Sequence, residues 1–278
     1  MFARLKNSWL LFTTTLSFIK KDRSLLAVPV ILPFANLGLL IILAVMAFGV
    51  FIFGARTELA WFAFGVIALF LSFLLNTFFA AAHSWMVFEV AKGKDTTLSS
   101  GLRRASHNLA DIIWFSIVMT LVHVITGLLR GKRQNGMDIG SAIRNMLANM
   151  IEGLVGILGK LVLPAMIVTD KTFKEAVVDL KRSAKTWPEV LAFEIGLGPL
   201  FGLAFFAIAI VLGLLAYAVS PFIGMYALIA FIISLVIVII AMGILSKFVN
   251  ATYYTLLYLA LVEKKHIHGV KELFHTKF

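Results

Sequence analysis

FIGMYALIAFIISLVIVIIAMGILSKFVNATYYTLLYLALV, Phe222 to Val262, contains one charged side chain, Lys247, in 41 residues. About 20 apolar residues suffice for a helix to cross a bilayer. A soluble core helix needs a polar face toward water, and this run has none. It is therefore read as a membrane-spanning helix. Five more apolar segments precede it: Leu25–Phe53, about Leu59–Val90, Ile112–Leu129, about Met146–Val168 and Val190–Val219. Several exceed 25 residues, which permits tilt, kinks or extension past the bilayer but fixes no angle. The expected fold is an all-α polytopic membrane helix bundle of about six transmembrane helices, forming one integral membrane domain over residues 1–278.

Composition agrees. The chain is 61% hydrophobic and 14% charged, against about 45–50% and about 25% for soluble domains. It has no cysteine, which excludes disulfides, thiolate metal sites, iron–sulfur clusters and cysteine nucleophiles. The formal charge of +11 is explained first by topology, because Lys and Arg mark cytoplasmic loops and attract anionic headgroups. No basic face on a recognisable nucleic-acid-binding fold appears, so nucleic acid is not an expected partner. The run from Leu25 is too long for the apolar region of a cleaved signal peptide and is read as a retained first span.

If every segment crosses, 18 basic residues fall on one side and five on the other. That bias puts both termini in the cytoplasm. A prokaryotic cytoplasmic (inner) membrane is the expected location. The loop GKRQNGMD, Gly131 to Asp138, is basic yet lies on the outer side, and is read as a headgroup contact.

The connections into the odd-numbered spans resemble one another. TFKEAVVDLKRSAKTWPEVLAFE, Thr172 to Glu194, aligns with the chain 78 residues earlier: Leu180, Lys181, Arg182 and Phe193 fall on Leu102, Arg103, Arg104 and Phe115. In both copies, and in residues 5–19, apolar groups recur every three or four positions with cations opposite. Such helices are expected to lie in the membrane interface before spans 1, 3 and 5. Trp9, Trp187, Arg103, Arg104, Lys181 and Arg182 are the expected interfacial anchors. The chain divides into possible repeat units 1–91, 92–169 and 170–262 with a basic tail, 263–278.

Charged and polar groups inside spans are the functional candidates, because their burial in lipid is costly. Glu152 and Lys160 lie two turns apart on one face of the fourth segment, too far for a direct pair. One reading is an ion or proton path; the other places Glu152 near the outer interface and lets Lys160 snorkel. Glu194 enters the fifth segment, and His123 and Asn76 lie in the third and second. Glu89 beside Lys92 is read as interfacial, and Lys247 as nearer the cytoplasm than midplane. His83 and His123 are read as hydrogen-bonded packing groups. His266, His268 and His275 lack the accompanying ligands of a metal site. No catalytic motif occurs; no enzyme activity, catalytic residue, metal or cofactor is expected.

Gly153, Gly156 and Gly159, and the pair Gly198 and Gly202, would let helix backbones approach closely, within the chain or in a homo-oligomer. Gly196, Gly198 and Pro199 are expected to break the fifth helix, and Pro29 and Pro33 the first, either as functional discontinuities or as simple kinks.

GLRRASHNL (101–109) and DLKRSAKTW (179–187) leading into spans, and ATYYTLLYLAL (251–261) closing the last, give a layout that resembles uncharacterised prokaryotic six-span membrane domains. These include the membrane domain fused to some glycerophosphodiester phosphodiesterases. The resemblance implies a six-span fold and supplies no catalytic or ligand residues. Two functions follow. A transporter or channel for a small solute, ion or lipid predicts a polar cavity near midplane lined by Glu152, Lys160, His123 or Asn76. A non-catalytic membrane scaffold or envelope-complex subunit predicts a dry core with those charges at the interfaces.

Overall fold

The computed structural model of the chain describes residues 13–52, 57–130, 139–182 and 187–261, with side chains for all of these except 139–141, 180–182, 187–200 and 260–261. Among the described residues the chain is helical, with no strand. A helical segment at 13–21 and a 3-10 turn, Arg23–Leu26, lead into α1, Ala27–Ile52. Then come α2, Glu58–Ala91, the short α3, Leu98–His107, α4, Leu109–Arg130, and α5, Ile139–Thr169. A second short helix, α6, Phe173–Arg182, precedes α7, Trp187–Ile223, and α8, Met225–Leu261. Six helices are long and apolar enough to cross a membrane: α1, α2, α4, α5, α7 and α8. The protein is a multi-pass membrane protein of all-α architecture.

Caps account for where several helices begin. The Thr57 hydroxyl accepts from the Ala60 amide at the start of α2. At α3 the Thr97 hydroxyl accepts from the Ser100 amide and the Ser100 hydroxyl reaches back to the Thr97 amide, a reciprocal cap. Thr172 and Glu175 make the same exchange at α6. Each pair satisfies orphan first-turn amides that a helix cannot pair internally. Between α7 and α8 a single residue, Gly224, reverses the chain at φ +57°. A side chain there would meet the steric penalty of the left-handed region.

The core lies at one end of the bundle. It gathers Phe18 and Leu25, the last third of α2, Ala105 of α3, Ile112 and Phe115 of α4, residues 161–168 of α5, Ala176 of α6 and residues 248–259 of α8. The short helices fasten to this end. Gly101 of α3 lies so close to α2 that a Cβ there would stand 2.7 Å from the Ala82 carbonyl oxygen and 2.9 Å from Met86 Cγ. Glu89 of α2 accepts from the hydroxyls of Thr96 and Ser100, each at 2.6 Å, which fixes the turn that connects them. Asp111 at the start of α4 accepts from the Phe173 amide at 3.1 Å and so fills an orphan donor of α6. Asp22 accepts from the Ser24 and Thr96 amides at 2.8 and 3.1 Å. Burial works against its charge, but the hydrogen bonds from Ser24 and Thr96 outweigh it and hold the carboxyl below the ordinary aspartate range.

Several expectations change. Gly196, Gly198 and Pro199 do not break the fifth span: α7 is continuous from Trp187 to Ile223. α1 is also continuous through Pro33, and Pro29 falls in its first turns, where a missing amide costs little. Inside lipid the neighbouring backbone groups have no water to turn to, so the helix persists around one lost bond. Among the described residues, Gly159 of α5 makes a close approach, its Cβ position lying 2.9 Å from the Phe115 ring, whereas an added Cβ at Gly153, Gly156 or Gly202 would meet none of them within 4 Å.

Candidate functional site

Among the described residues a cavity interrupts the apolar interior. It has a volume of about 290 Å³ and lies between α1, α2, α5 and α8. α1 supplies Val28, Pro29 and Leu32, all within its first turns. α2 supplies Asn76 and His83, α5 supplies Lys160, and α8 supplies Lys247, Asn250 and Tyr254. At 1.5 Å per residue, His83 and Lys160 stand about 12–14 Å from the core-end termini of their helices, and Asn76 and Lys247 about 21–23 Å. The cavity thus begins inside the packed end and extends toward the middle of the spans.

A polar relay crosses it. Asn76 Nδ2 donates to Asn36 Oδ1 at 3.1 Å and to Ser72 O at 2.8 Å. Asn36 Nδ2 donates to Leu32 O at 3.0 Å and to Asn76 Oδ1 at 3.4 Å. With both amide hydrogens of Asn76 used, its oxygen is turned to Lys247, whose Nζ lies 3.5 Å away. Lys160 Nζ sits 5.2 Å from the centre of the Tyr254 ring, within cation–π range. His83 is buried against Phe248, with Nε2 3.0 Å from the Thr252 hydroxyl. Its Nδ1 is buried with no hydrogen-bond partner among the described residues. Next to it the Thr255 hydroxyl donates to Ser84 Oγ at 3.1 Å. Asn250 Nδ2 donates to Ser246 O at 3.0 Å, so that residue also anchors its own helix turn.

The sequence candidates separate into two groups. Asn76 and Lys160 line the cavity. Glu152 and His123 do not. Glu152 forms an ion pair with Arg130, the last residue of α4, and accepts from the Thr126 hydroxyl at 2.6 Å. Arg130 also donates to Asn149 at 2.9 Å. Of the four residues expected to line a polar cavity, Asn76 and Lys160 line this one, while two turns of α5 separate it from the charge-paired contact of Glu152 with α4. His123 packs against Phe73 with 4.6 Å between ring centres and the rings tilted by 55°, and its Nδ1 lies 3.0 Å from the Met119 carbonyl oxygen. That is a packing role. Lys247 also lines the cavity.

The expected anchors also divide. Arg103 is exposed on α3. Arg104 is turned inward, with its side chain 18% exposed: Nε donates to Ile167 O at 3.0 Å, the guanidinium meets Asp170 at 2.7 Å, and it lies over Trp85 at 4.6 Å. With Asn108, whose amide donates to Met166 O at 3.1 Å, it caps the last carbonyls of α5. Trp9, Lys181, Arg182, Trp187 and Glu194 lie outside the residues whose side chains are described. Sequence reasoning missed Asn36, Thr252 and Tyr254. The available signal for Asn36 was an amide in an otherwise apolar span, the same signal that singled out Asn76.

A family model described as a family of unknown function, DUF6159, matches residues 55–269, and the chain belongs to that family. No curated protein and no solved structure matches it.

Proposed function

We propose that this DUF6159 protein is a membrane transport protein that binds a small solute in the cavity between α1, α2, α5 and α8. The observation carrying this reading is the convergence of Lys160, Lys247, Asn76 and buried His83 on one space of about 290 Å³ within spans otherwise built from apolar residues. Ionisable groups inside spans are costly and, where present, commonly mark solute or ion pathways. Ligand sites between bundle helices have this composition, mostly apolar walls with a few convergent polar groups.

The scaffold alternative is favoured by one observation: Glu152, the strongest acidic candidate, is already neutralised by Arg130. Within either reading the chain sits in a prokaryotic inner membrane with both termini cytoplasmic, placing α3 and α6 against anionic headgroups. The order of a short helix followed by a two-span hairpin, α3–α5 and again α6–α8, supports repeat units within the single domain. A homo-oligomer through the glycine faces is supported by Gly153 and Gly156, where an added Cβ would meet nothing within 4 Å among the described residues.

Reconstitution into liposomes with a panel of small charged and neutral solutes tests the reading. Ala251→Phe fills the cavity and is expected to abolish flux, while Glu152→Gln retains it. Equal flux through the Ala251→Phe variant and the wild type, or no flux of any solute, contradicts transport through this site.

A further inference from the structure

We infer that the cavity opens sideways to one leaflet of the bilayer and receives the head of a glycerolipid whose chains lie along α1 and α8. This rests on the reading of the cavity as the binding site and adds the source and form of its ligand.

Depth comes first. α8 has 37 residues, about 55 Å at 1.5 Å per residue, while the hydrocarbon core of a bilayer is about 30 Å thick. Part of α8 therefore stands outside the hydrocarbon, and burial shows which part. Residues 34–52 of α1, 58–76 of α2 and 201–223 of α7 contain no buried residue, and 225–247 of α8 contains only Ala227. Each run is about 28–35 Å long, the thickness of the hydrocarbon. Exposed Tyr217 and Tyr226 flank the α7–α8 turn at one end, as aromatics do at a membrane interface. At the other end the runs stop at Asn76 on α2 and Lys247 on α8, and burial begins at the next residue of each, Thr77 and Phe248. The boundary between acyl chains and headgroups thus passes through the level of the cavity.

Lys247 shows what the opening offers. It lines the cavity and is itself exposed, so the cavity is open on that side. Asn76 uses both amide hydrogens on Ser72 and Asn36, and its oxygen takes one ammonium donor at 3.5 Å. An ammonium has three donors, and two remain for a ligand. Facing acyl chains they would be costly. At this boundary the abundant acceptors are the phosphate and ester oxygens of lipids, and either serves Lys247.

The walls continue the site outward. Leu37 and Leu40 lie two and three turns beyond Pro29 on one face of α1, and Ile240 and Val236 two and three turns before Lys247 on one face of α8. All four are exposed. α1 and α8 meet at the cavity, so both apolar stripes leave it toward the bilayer middle, as acyl chains leave a head. The volume of about 290 Å³ equals that of about ten waters, room for a head and not for two chains. A soluble solute gains nothing from those stripes; a lipid lays its chains on them.

The test uses the full chain in phosphatidylcholine nanodiscs doped with phosphatidylethanolamine or phosphatidylglycerol that carries a diazirine midway along one acyl chain. Labelled residues are mapped by mass spectrometry after irradiation, and labelling of residues 203–211 on α7 gives the level of ordinary surrounding lipid. With at least one probe, labelling at 37–41 and 236–240 is expected to saturate and to exceed the α7 level. Lys247→Met is expected to raise the half-saturating mole fraction about 10- to 100-fold, the loss of one charge-assisted hydrogen bond, while Lys247→Arg retains saturation. Ala251→Phe, which fills the cavity, is expected to bring labelling down to the α7 level. Unchanged labelling of α7 and monodisperse elution check folding. Labelling of the two stripes that never exceeds that of α7, or an excess that survives Lys247→Met or Ala251→Phe in the folded protein, overturns the inference. Flux of a water-soluble solute that Ala251→Phe blocks, with no excess labelling, overturns it and leaves the transport reading intact. Excess labelling lost in both variants, with no flux of any soluble solute, supports the lipid site and removes transport of a soluble solute.

Discussion

The apolar side chains in the two halves of α8 live in different surroundings. Ile237 and Leu228 in the first half are 60% and 58% exposed, whereas Leu256 and Leu259 in the second are fully buried. α1 and α2 divide in the same way: Phe48 and Phe62 are exposed at 65% and 50%, while Val28 and Met86 are buried. In an aqueous protein the exposed halves would be a severe liability. In a membrane they face lipid tails, against which an isoleucine gains nothing by packing on another helix. Apolar character therefore tells where the bilayer is and does not tell which residues touch. Contacts that hold one arrangement come from the end where short helices, caps and side-chain hydrogen bonds collect, and the cavity opens at the border between the two regimes.

The largest difference between the halves is expected from equal truncations. Leu256→Ala leaves a void among fixed neighbours and is expected to cost about 2–5 kcal/mol. Ile237→Ala exchanges side chain for lipid, and its cost is expected to be close to zero. Unfolding of the two variants in bicelles, compared with wild type, measures both. Similar losses would erase the distinction.

Next is Arg104, which ties α3 to the end of α5. Arg104→Ala removes the hydrogen bond to Ile167, the ion pair to Asp170 and the contact with Trp85. The expected loss is about 1–3 kcal/mol in the same assay. Arg104→Lys is expected to recover less than half, because an ammonium cannot serve a carbonyl, a carboxylate and a ring face together. Full recovery would reduce Arg104 to a charge at the interface, as its sequence setting implied.

A smaller effect is expected from Asp22. Its carboxyl titrates below the ordinary value of 3.8 because the Ser24 and Thr96 bonds outweigh burial. A depressed folded pKa stabilises fully above the unfolded value and is lost as pH falls through the folded one. Exchange protection of the Thr96 amide is therefore expected to hold above pH 3.8 and to fall below it. In Asp22→Asn that step is expected to vanish; a step of the same size there would assign it to another group.

The fold was legible because span length and apolarity report the bilayer directly: six runs in the sequence became six helices. The amphipathic stretches at 98–107 and 173–182 were legible from their three-and-four spacing and became α3 and α6. Their starts were written in Thr97-x-x-Ser100 and Thr172-x-x-Glu175, signals that the charge pattern overshadowed. The site was only half legible. Asn76 and Lys160 stood out as polar groups in spans, but so did Glu152, and nothing in the spacing says that Glu152 meets Arg130 on α4 rather than the face shared with α2 and α8. Arg104 likewise has the same sequence surroundings as exposed Arg103; one helical step of about 100° turns it onto α5. Rotational setting and helix order are tertiary facts, and hydrophobic periodicity is weakest where every face is apolar.

The most direct measurement concerns whether water and solute reach the cavity in a membrane. The chain has no cysteine, so each introduced one reports alone. Ala251→Cys places a thiol in the cavity lining, and Ile237→Cys places one on the exposed half of the same helix. Thiolates form only where water is present, and it is the thiolate that reacts. In intact liposomes the account predicts that a negatively charged methanethiosulfonate labels Ala251→Cys and leaves Ile237→Cys unreacted. Labelling of neither position, or of both at the same rate, would contradict a hydrated cavity set within lipid-facing spans.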